Sequence, residues 1–334
     1  MVMEARKWPS GPLAILLRPV SRAYGAVASR RFHRAKAERV QAPVICVGNP
    51  TVGGAGKTPT AIAIAEVAAR LGRQPGFVSR GYGGSLSGRE AIIVDAERHS
   101  AAEVGDEPLL LARTARTVIC ADRVKAARRA IAEGCDLLIM DDGFQSRAIH
   151  FDMAILVVDQ TAGLGNGCIL PNGPLRMPLD EQLTAADVLL AIDSGGENRI
   201  SELLRQAARA GCRIVRARSG VAEAERWQNE RLFAFCGIGD PPKFFRALER
   251  VGADVVGTQS FPDHYAYRKT DIEAMSRLAQ EVDAKLVTTA KDAVRLRAVG
   301  HETEIEVAHL AIEFAGGALE ALVERTIERY KRRR

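Results

Sequence analysis

The amino-acid sequence predicts an α/β protein with a Rossmann-like core, in which helices cover both faces of a mostly parallel sheet. Three observations support this prediction. Short apolar runs typical of buried strands alternate with longer segments of helical pattern between residues 44 and 160. The first of these runs leads through a glycine-rich turn into a helical segment. The length of 334 residues exceeds one average domain, which favours a second, smaller α/β domain.

The predicted elements follow one another in a regular order in the first half and less regularly afterwards. The predicted strands are 44–48, 76–79, 91–95, 117–120, 136–140, 153–158, 188–192, 213–217, 232–236, 253–257 and 285–288. The predicted helices are 58–71, 107–114, 123–132, 200–210, 242–251, 269–282 and 319–330. Strands that alternate with helices indicate parallel pairing.

An amphipathic helix is predicted near the N-terminus. Apolar residues recur there at helical spacing, namely Leu13, Leu16, Leu17, Val20, Tyr24 and Val27. Arginines and small residues occupy the other side, and Pro19 is expected to kink or divide the helix. A basic amphipathic helix can lie in a membrane interface with its arginines near anionic headgroups, or it can pack against its own domain.

The segment from Gly48 to Thr58 has the composition and the context of a phosphate-binding loop. It reads GNPTVGGAGKT and lies between a predicted strand and a predicted helix. Position 51 is threonine where the strict Walker pattern has glycine, but the GGxGKT core is intact. Glycines let backbone amides turn towards phosphate oxygens, and the helix N-terminus adds partial positive charge. We therefore predict a nucleotide site formed by Thr51, Val52, Gly53, Gly54, Ala55, Gly56, Lys57 and Thr58.

Within this P-loop NTPase core, Lys57 is expected to reach the β- and γ-phosphates of ATP, and the hydroxyl of Thr58 to bind Mg²⁺. A metal partner should follow a buried strand, and Asp141 and Asp142 come directly after the apolar run LLIM. Successive strand residues point to opposite sides, so the two aspartates are expected to have different roles. Which of them contacts the metal is left open.

The glycine- and proline-rich stretch 161–180 is the predicted junction between domains. The expected organisation is an N-terminal basic amphipathic helix at 1–40 and a P-loop nucleotide-binding domain at 41–160. A smaller α/β acceptor or lid domain is expected at 161–315. A C-terminal helix at 316–334 is expected to pack on the first domain.

Composition narrows the function classes. A net charge of +6 favours phosphate-bearing partners, while an aromatic content of 5% and the lack of a recognised motif argue against nucleic-acid binding. The six cysteines form no CxxC pair, which indicates a reducing compartment. We find no cleavable signal and no apolar stretch of spanning length, so secretion is not expected.

A series of short motifs resembles the tetraacyldisaccharide 4′-kinases in content and in order. They are TVGGAGKTP, SRGYGG, GDEP, ADR, DDGFQ, LPNGPLR, GIGDPPKFF, FPDHYAY and TTAKDAVRL. The similarity runs from about residue 10 to about residue 325. It implies transfer of the ATP γ-phosphate to the 4′-hydroxyl of a tetraacylated glucosamine disaccharide 1-phosphate, which gives lipid IVA.

The resemblance also implies residue roles. The catalytic aspartate of the family matches Asp106 in GDEP, and its partner histidine matches His264 in FPDH. A carboxylate that accepts the hydroxyl proton suits this reaction, although an aspartate at a helix start is also a common cap. If residues 106 and 264 meet, the active site lies between the two halves of the chain.

Other polar residues of these motifs are candidates for binding phosphates or sugar. Arg123 is predicted to bind the nucleotide, and Arg80, Gln145 and Arg176 are predicted to bind the acceptor. An acceptor with four acyl chains stays in the bilayer, so the family implies peripheral contact of the N-terminal helix with the cytoplasmic face of the bacterial inner membrane. No obligate protein partner is evident.

Two positions depart from the pattern of the family. Met177 stands where a glutamate is common, and Ala290 stands where TTEKD is common. Methionine cannot help to hold a metal, so the composition of the metal site is in doubt. The alternative function is a P-loop switch or partition-type ATPase, but such proteins usually carry lysine at the position of Val52.

Overall fold

The computed structural model describes residues 8–300 and 305–333, which form two sheets. The nine-stranded sheet has the order β13-β8-β7-β6-β1-β5-β2-β4-β3. Its strands are β1 (Val44–Gly48), β2 (Pro75–Ser79), β3 (Ile92–Ile93), β4 (Arg116–Ile119), β5 (Leu137–Asp141), β6 (Met153–Asp159), β7 (Val188–Asp193), β8 (Arg213–Val221) and β13 (Leu310–Phe314). Only β3 and β13, at its two edges, pair antiparallel.

The second sheet is smaller and its strands all run parallel, in the order β10-β9-β11-β12. They are β9 (Arg231–Cys236), β10 (Asp254–Ser260), β11 (Lys285–Thr289) and β12 (Glu306–Ala308). This sheet is inserted between β8 and β13 of the first one. The mostly parallel α/β prediction is confirmed.

Helices cover both faces of both sheets. They are α1 (Gly11–Arg34), α2 (Lys57–Arg70), α3 (Ala101–Val104), α4 (Asp106–Ala112), α5 (Arg123–Ala132), α6 (Leu179–Ala185), α7 (Ser201–Arg209), α8 (Ala224–Trp227), α9 (Pro241–Arg250), α10 (Lys269–Glu281), α11 (Ala290–Leu296) and α12 (Ala318–Lys331). On the large sheet, α1, α5, α6 and α7 cover one face, and α2, α4 and α12 cover the other. On the small sheet, α9 and α10 pack on opposite faces. Such double cover is what parallel strands require.

The change of sheet does not coincide with the predicted junction at 161–180. Strands β7 and β8 follow that stretch and still belong to the large sheet, where β7 pairs with β6, β8 pairs with β7, and β13 returns to pair with β8. The chain leaves the large sheet only after Val221. We call residues 231–308 the small-sheet unit. Local pattern cannot show which sheet a strand will join, because that choice depends on long-range packing.

The N-terminal helix extends from Gly11 to Arg34, beyond the apolar pattern between Leu13 and Val27, and it is not divided at Pro19. Pro19 is exposed, so the backbone carbonyl that loses its helical donor there can be hydrated. Residues 1–7 of the predicted N-terminal segment, and Arg334 of the basic C-terminus, lie outside the described residues. Helix α12 packs on α2 of the large sheet.

A buried ion pair joins the small-sheet unit to the large sheet. Nζ of Lys243 on α9 lies 2.7 Å from Oδ2 of Asp159 at the end of β6, with side chains only 7% and 2% exposed. Asp159 also accepts hydrogen bonds from Ser194 and from the backbone of Thr161. Burial disfavours its ionised form, but Lys243 outweighs this effect and lowers the pKa of Asp159.

We expect Lys243→Met to lower the free energy of unfolding by about 3 kcal/mol, because it leaves Asp159 buried without its cation. Urea denaturation of the nucleotide-free protein measures the effect. Arg205→Met, which breaks an exposed ion pair with Glu202, is the matched control and should change stability very little. Equal stability of Lys243→Met and wild type would show that the pair does not join the two units energetically.

Candidate active site

The glycine-rich loop after β1 has the geometry of a phosphate cradle. Gly53 has φ 121°, and Gly56, at the N-cap of α2, has φ 95°, values that side-chain-bearing residues rarely adopt. Gly53 and Gly54 are exposed at the crest of the loop. Nζ of Lys57 lies 3.4 Å from the carbonyl oxygen of Gly53 and 4.0 Å from Oδ1 of Asp142. The loop therefore presents amides, a helix N-terminus and an ammonium group together.

The first half of this loop is held by the segment 168–176. Thr51 pairs with Leu175 in a backbone bridge, and the amide of Val52 donates to the carbonyl of Pro174 at 2.9 Å. Arg176 donates from Nε to the carbonyl of Thr51 at 3.1 Å. The two terminal nitrogens of Arg176 lie 3.0 Å from the two carboxylate oxygens of Asp142. Arg176 thus joins the loop to the aspartate pair.

Asp141 and Asp142 occupy different environments, as their alternation predicted. Oδ2 of Asp141 accepts a hydrogen bond from the Thr58 hydroxyl at 2.9 Å, while its buried Oδ1 has no hydrogen-bond partner in the described part of the chain. Burial, together with the charges of Glu107 and Asp142, raises the pKa of Asp141. Burial acts in the same sense on Asp142, but Lys57 and Arg176 outweigh it and lower its pKa.

Two arginines lie close to each other in this region, and one of them, Arg123, contacts Asp142. Arg123 begins α5, and its Nη2 donates to the Asp142 carbonyl at 3.4 Å. Its buried Nε has no hydrogen-bond partner among the residues described. Burial, and next the charge of Arg80, lower the pKa of Arg123. Guanidinium groups that repel each other favour an anion such as a phosphate between them.

Asp106 meets His264 across the two sheets. Asp106 is the first residue of α4 and is buried, and its Oδ2 lies 3.0 Å from Nδ1 of His264. His264 follows β10 in a loop and has φ 59°, a strained value for histidine. The Asp106 hydrogen bond, against burial, raises the pKa of His264. The side chain of His264 is 48% exposed, so a substrate can reach it.

Cations from α11 surround the same carboxylate. Arg295 donates from Nε and Nη2 to Oδ2 of Asp106 at 3.1 and 2.8 Å. Nζ of Lys291 lies 3.9 Å from that oxygen and 3.2 Å from Oε1 of Glu107. Burial opposes ionisation of Asp106, but His264, Lys291 and Arg295 outweigh it and hold its pKa well below the ordinary range. Neither Arg295 nor Lys291 was predicted as a site residue, although both lie in TTAKDAVRL.

The predicted acceptor-binding residue Gln145 and the two positions that depart from the family pattern, Met177 and Ala290, are all held by contacts inside the protein. Nε2 of Gln145 donates to the carbonyl of Asn49 at 2.9 Å and to Oε1 of Gln182 at 3.2 Å, so both of its amide hydrogens are engaged. Met177 is buried in the core below the loop, which suits its apolar side chain. Ala290 begins α11 and is buried as well.

Comparisons with known proteins agree with this geometry. The family model described as tetraacyldisaccharide-1-P 4′-kinase matches residues 13–328. The chain belongs to this family. A tetraacyldisaccharide 4′-kinase of Agrobacterium fabrum is 49% identical over 309 residues, which cover 92% of this chain and 87% of that protein. One of Brucella anthropi is 45% identical over 326 residues, 96% of this chain and 94% of that protein.

A solved structure of the family shows the same fold. LpxK from Aquifex aeolicus, determined in complex with ATP, superposes with a TM-score of 0.71 at 26% identity. The match covers 94% of this chain and 99% of that one. The Rossmann-like P-loop prediction is therefore confirmed, as is the predicted family.

Asp141→Asn is expected to raise the melting temperature of the nucleotide- and magnesium-free protein at pH 8. Folding raises the pKa of Asp141 to about 7, so its ionisation destabilises the native state most above this pH, and the cost decreases as the pH falls from 7 towards the ordinary pKa of an aspartate. Asp142→Asn is the matched control with opposite sign. The pKa of Asp142 is lowered, so this variant should melt below wild type at pH 8. Differential scanning fluorimetry across this pH range measures both, and a lower melting temperature for Asp141→Asn would contradict the assignment.

Proposed function

We propose that this chain transfers the γ-phosphate of ATP to the 4′-hydroxyl of a tetraacyldisaccharide 1-phosphate and so forms lipid IVA. Membership of the family supports this activity. The observation that supports it most is the 3.0 Å contact between Oδ2 of Asp106 and Nδ1 of His264, two residues that we propose act as an acid–base pair. Incubation with radiolabelled ATP and the disaccharide lipid, followed by chromatography, tests it. Release of phosphate without a labelled lipid would contradict it and favour a P-loop ATPase that acts on a protein.

The phosphate loop would bind the triphosphate. The amides of the exposed Gly53 and Gly54 and those at the start of α2 would face the β- and γ-phosphates, Lys57 would neutralise their charge, and Arg123 would contribute a further cation. Arg80 is exposed, and its charge repels that of Arg123. We therefore propose that Arg80 binds a second phosphate, that of the acceptor. Arg176 is proposed to act mainly by orienting Asp142, which it contacts through both carboxylate oxygens.

The residues beside the loop fit Mg²⁺. Thr58 supplies a hydroxyl, and Asp141 carries a buried carboxylate oxygen that has no hydrogen-bond partner in residues 8–300 and 305–333. Mg²⁺ prefers oxygen ligands and needs only one or two carboxylates when phosphates and waters complete its shell. We therefore propose Thr58 and Asp141 as its direct ligands. Asp142, whose carboxylate contacts Arg176, would not bind the ion directly. Bound there, Mg²⁺ would neutralise charge that develops on the transferred phosphoryl group.

Asp106 and His264 would handle the hydroxyl proton. A sugar hydroxyl attacks phosphorus more readily when its proton passes to a nearby base as the new bond forms. Asp106 is ionised because of its cationic neighbours, and His264 orients it and shares the proton through the Nδ1–Oδ2 contact. Because the side chain of His264 is 48% exposed, a bound acceptor would displace water from this position, which would favour transfer to the sugar over hydrolysis of ATP.

Helix α1 is proposed to dock peripherally on an anionic membrane. Its inner face is fixed to the protein, because the Ser21 hydroxyl accepts a hydrogen bond from the amide of Asn172 and Phe32 packs near Phe144. Its outer face exposes apolar side chains, namely Leu13, Ile15, Leu16, Val20, Tyr24 and Val27. Arginines of the same helix can contact headgroup phosphates. No helix in the described ranges has both the length and the hydropathy of a membrane span.

This position of α1 suits a lipid acceptor. The segment 168–176 contacts α1 through Asn172 on one side and pairs with Thr51 of the phosphate loop on the other. A lipid whose acyl chains stay beside α1 could therefore present its sugar near the nucleotide. We propose the cytoplasmic face of the bacterial inner membrane as the site of action, where ATP and this acceptor meet.

Lys57→Ala and Asp106→Asn should each reduce turnover strongly. Loss of a general base costs about 10²–10⁴-fold in rate, and loss of the loop ammonium removes charge stabilisation from the phosphoryl group. His264→Ala should cause a smaller loss. Transfer of radiolabel to the lipid measures kcat, and Asp254→Asn, an exposed aspartate of the small-sheet unit, is the control. Unchanged kcat in Asp106→Asn would remove this residue from the mechanism.

Leu16→Glu/Val20→Glu should weaken binding to vesicles of anionic phospholipid while leaving phosphorylation of a detergent-dispersed acceptor intact. Both side chains are exposed, at 73% and 53%, so the substitutions add charge to the docking face without disturbing the core. Vesicle flotation measures the binding. Leu278→Glu changes an exposed leucine on the small-sheet unit and serves as the control. Equal flotation of the double variant and wild type would count against docking through α1.

A further inference from the structure

Arg295 contacts two buried carboxylates, that of Asp292 in the small-sheet unit and that of Asp106 at the start of α4 on the large sheet. Its Nε and Nη2 donate to Oδ2 of Asp106, while Nη1 donates to Oδ1 of Asp292 and to the carbonyl of Gly237, both at 2.9 Å. The side chain is 7% exposed, and that of Asp292 is fully buried. A planar guanidinium can make these contacts at once, whereas a lysine ammonium cannot.

We propose that Arg295 is a positioning residue for phosphoryl transfer, which orients the carboxylate of Asp106 and keeps it ionised while the small-sheet unit is docked. The proposal rests on the proposed role of Asp106. It assigns to the buried Arg295 of α11 a part in the reaction that is exerted through Asp106. The base is then complete only when both units are in contact.

The orientation of Asp106 is determined at both oxygens. Oδ1 accepts the amide of Glu107 at 3.0 Å, and Oδ2 accepts Arg295 from one direction and lies near His264 on another. Rotation of the carboxylate would break the hydrogen bonds from Arg295 and from Glu107 together. The guanidinium therefore limits this rotation, and small displacements of a reacting group cost much rate.

Arg295 is itself held in position by Asp292, whose carboxylate is fixed by several hydrogen bonds. Oδ1 of Asp292 accepts the amide of Gly237 at 3.0 Å and the hydroxyl of Tyr267 at 2.9 Å, and its Oδ2 accepts the hydroxyl of Thr289 at 2.6 Å. These donors come from the ends of β9 and β11 and from the segment before α10. The position of Arg295 thus follows that of the whole small sheet. Such second contacts are what keep a functional group in a productive geometry.

The charge of Asp106 depends on groups from every element around it. Glu107 lies on its own helix, Lys291 and Arg295 lie on α11, and His264 and Asp263 lie in the loop after β10. Burial alone would raise the pKa of Asp106. If Arg295 is replaced by a neutral residue, the carboxyl stays buried with one cation fewer, so its pKa must rise. Activity that needs the ionised form is then lost at a higher pH.

Arg295→Gln and Arg295→Lys test the proposal. We expect Arg295→Gln to lower kcat about 10²-fold with little change in KM for ATP, because orientation is lost and the phosphate loop is intact. The acid limb of its kcat–pH profile should shift to higher pH. Arg295→Lys keeps the charge without the fork, so its kcat should stay low while its acid limb stays near that of wild type. Label transfer to the lipid is measured from pH 9 down to about pH 3.5, because the pKa of Asp106 lies below its ordinary range in wild type and its acid limb is expected only at the low end of this series.

Arg297→Gln is the matched control for a merely structural effect. Arg297 also crosses between the units, since it donates from Nη1 to the carbonyl of Ala96 at 2.9 Å and lies 3.5 Å from Oε1 of Glu97, neither of which belongs to the proposed site. Its kcat–pH profile should match wild type. A second control is the double variant Asp106→Asn/Arg295→Gln. If Arg295 acts through Asp106, the second substitution should cost little more activity than Asp106→Asn alone.

The outcomes separate this inference from the proposed function. The inference would be overturned if Arg295→Gln kept the kcat and the pH profile of wild type. It would also be overturned if the loss of kcat in Arg295→Gln added fully to the loss in Asp106→Asn, or if Arg297→Gln showed the same loss. If Asp106→Asn is inactive in these cases, the proposed function stands. If Asp106→Asn is fully active, the proposed role of Asp106 fails as well. Melting temperatures establish folding, and if Arg295→Gln does not fold, Arg295→Lys and the double variant Asp106→Asn/Arg295→Lys carry the test.

Discussion

The buried carboxylate of Asp106 is the point on which the site depends. It lies at the start of a helix on the large sheet, yet the groups that determine its charge and direction, His264, Lys291 and Arg295, all come from the small-sheet unit. A buried carboxylate without such partners would be protonated and unable to act as a base. The proposed catalytic pair therefore forms only when the two units are in contact, and the separate ion pair between Lys243 and Asp159 stabilises the same contact.

One segment of chain connects the proposed nucleotide site to helix α1, the proposed membrane-docking surface. Residues 168–176 pair with the phosphate loop, contact Asp142 through Arg176, and receive the inner face of α1. The exposed apolar side of α1 is thus one layer away from the loop amides. A reaction between a soluble phosphate donor and an acceptor confined to a bilayer requires such proximity, because neither substrate can reach the other alone.

Sequence alone predicted the parts whose chemistry is local. A strand, a glycine-rich turn and a helix together specify the phosphate loop, and apolar residues before Asp141 specify a buried strand end. The contact between Asp106 and His264 spans 158 residues and followed only from resemblance to a family. Arg295 was missed because an arginine on a helix is usually solvated, and only the fold shows that it is buried. Long-range packing likewise determines that β7, β8 and β13 belong to the large sheet, so local sequence could not predict it.

A crystal structure of the chain with Mg²⁺, a non-hydrolysable ATP analogue and the disaccharide lipid tests the central claim most directly. We expect the γ-phosphate of the analogue beside Lys57, and the 4′-hydroxyl of the lipid within hydrogen-bond distance of Asp106 or His264, with Arg295 still on the carboxylate. An analogue in the phosphate loop, with the lipid hydroxyl bound elsewhere and Asp106 turned away from it, would contradict this arrangement.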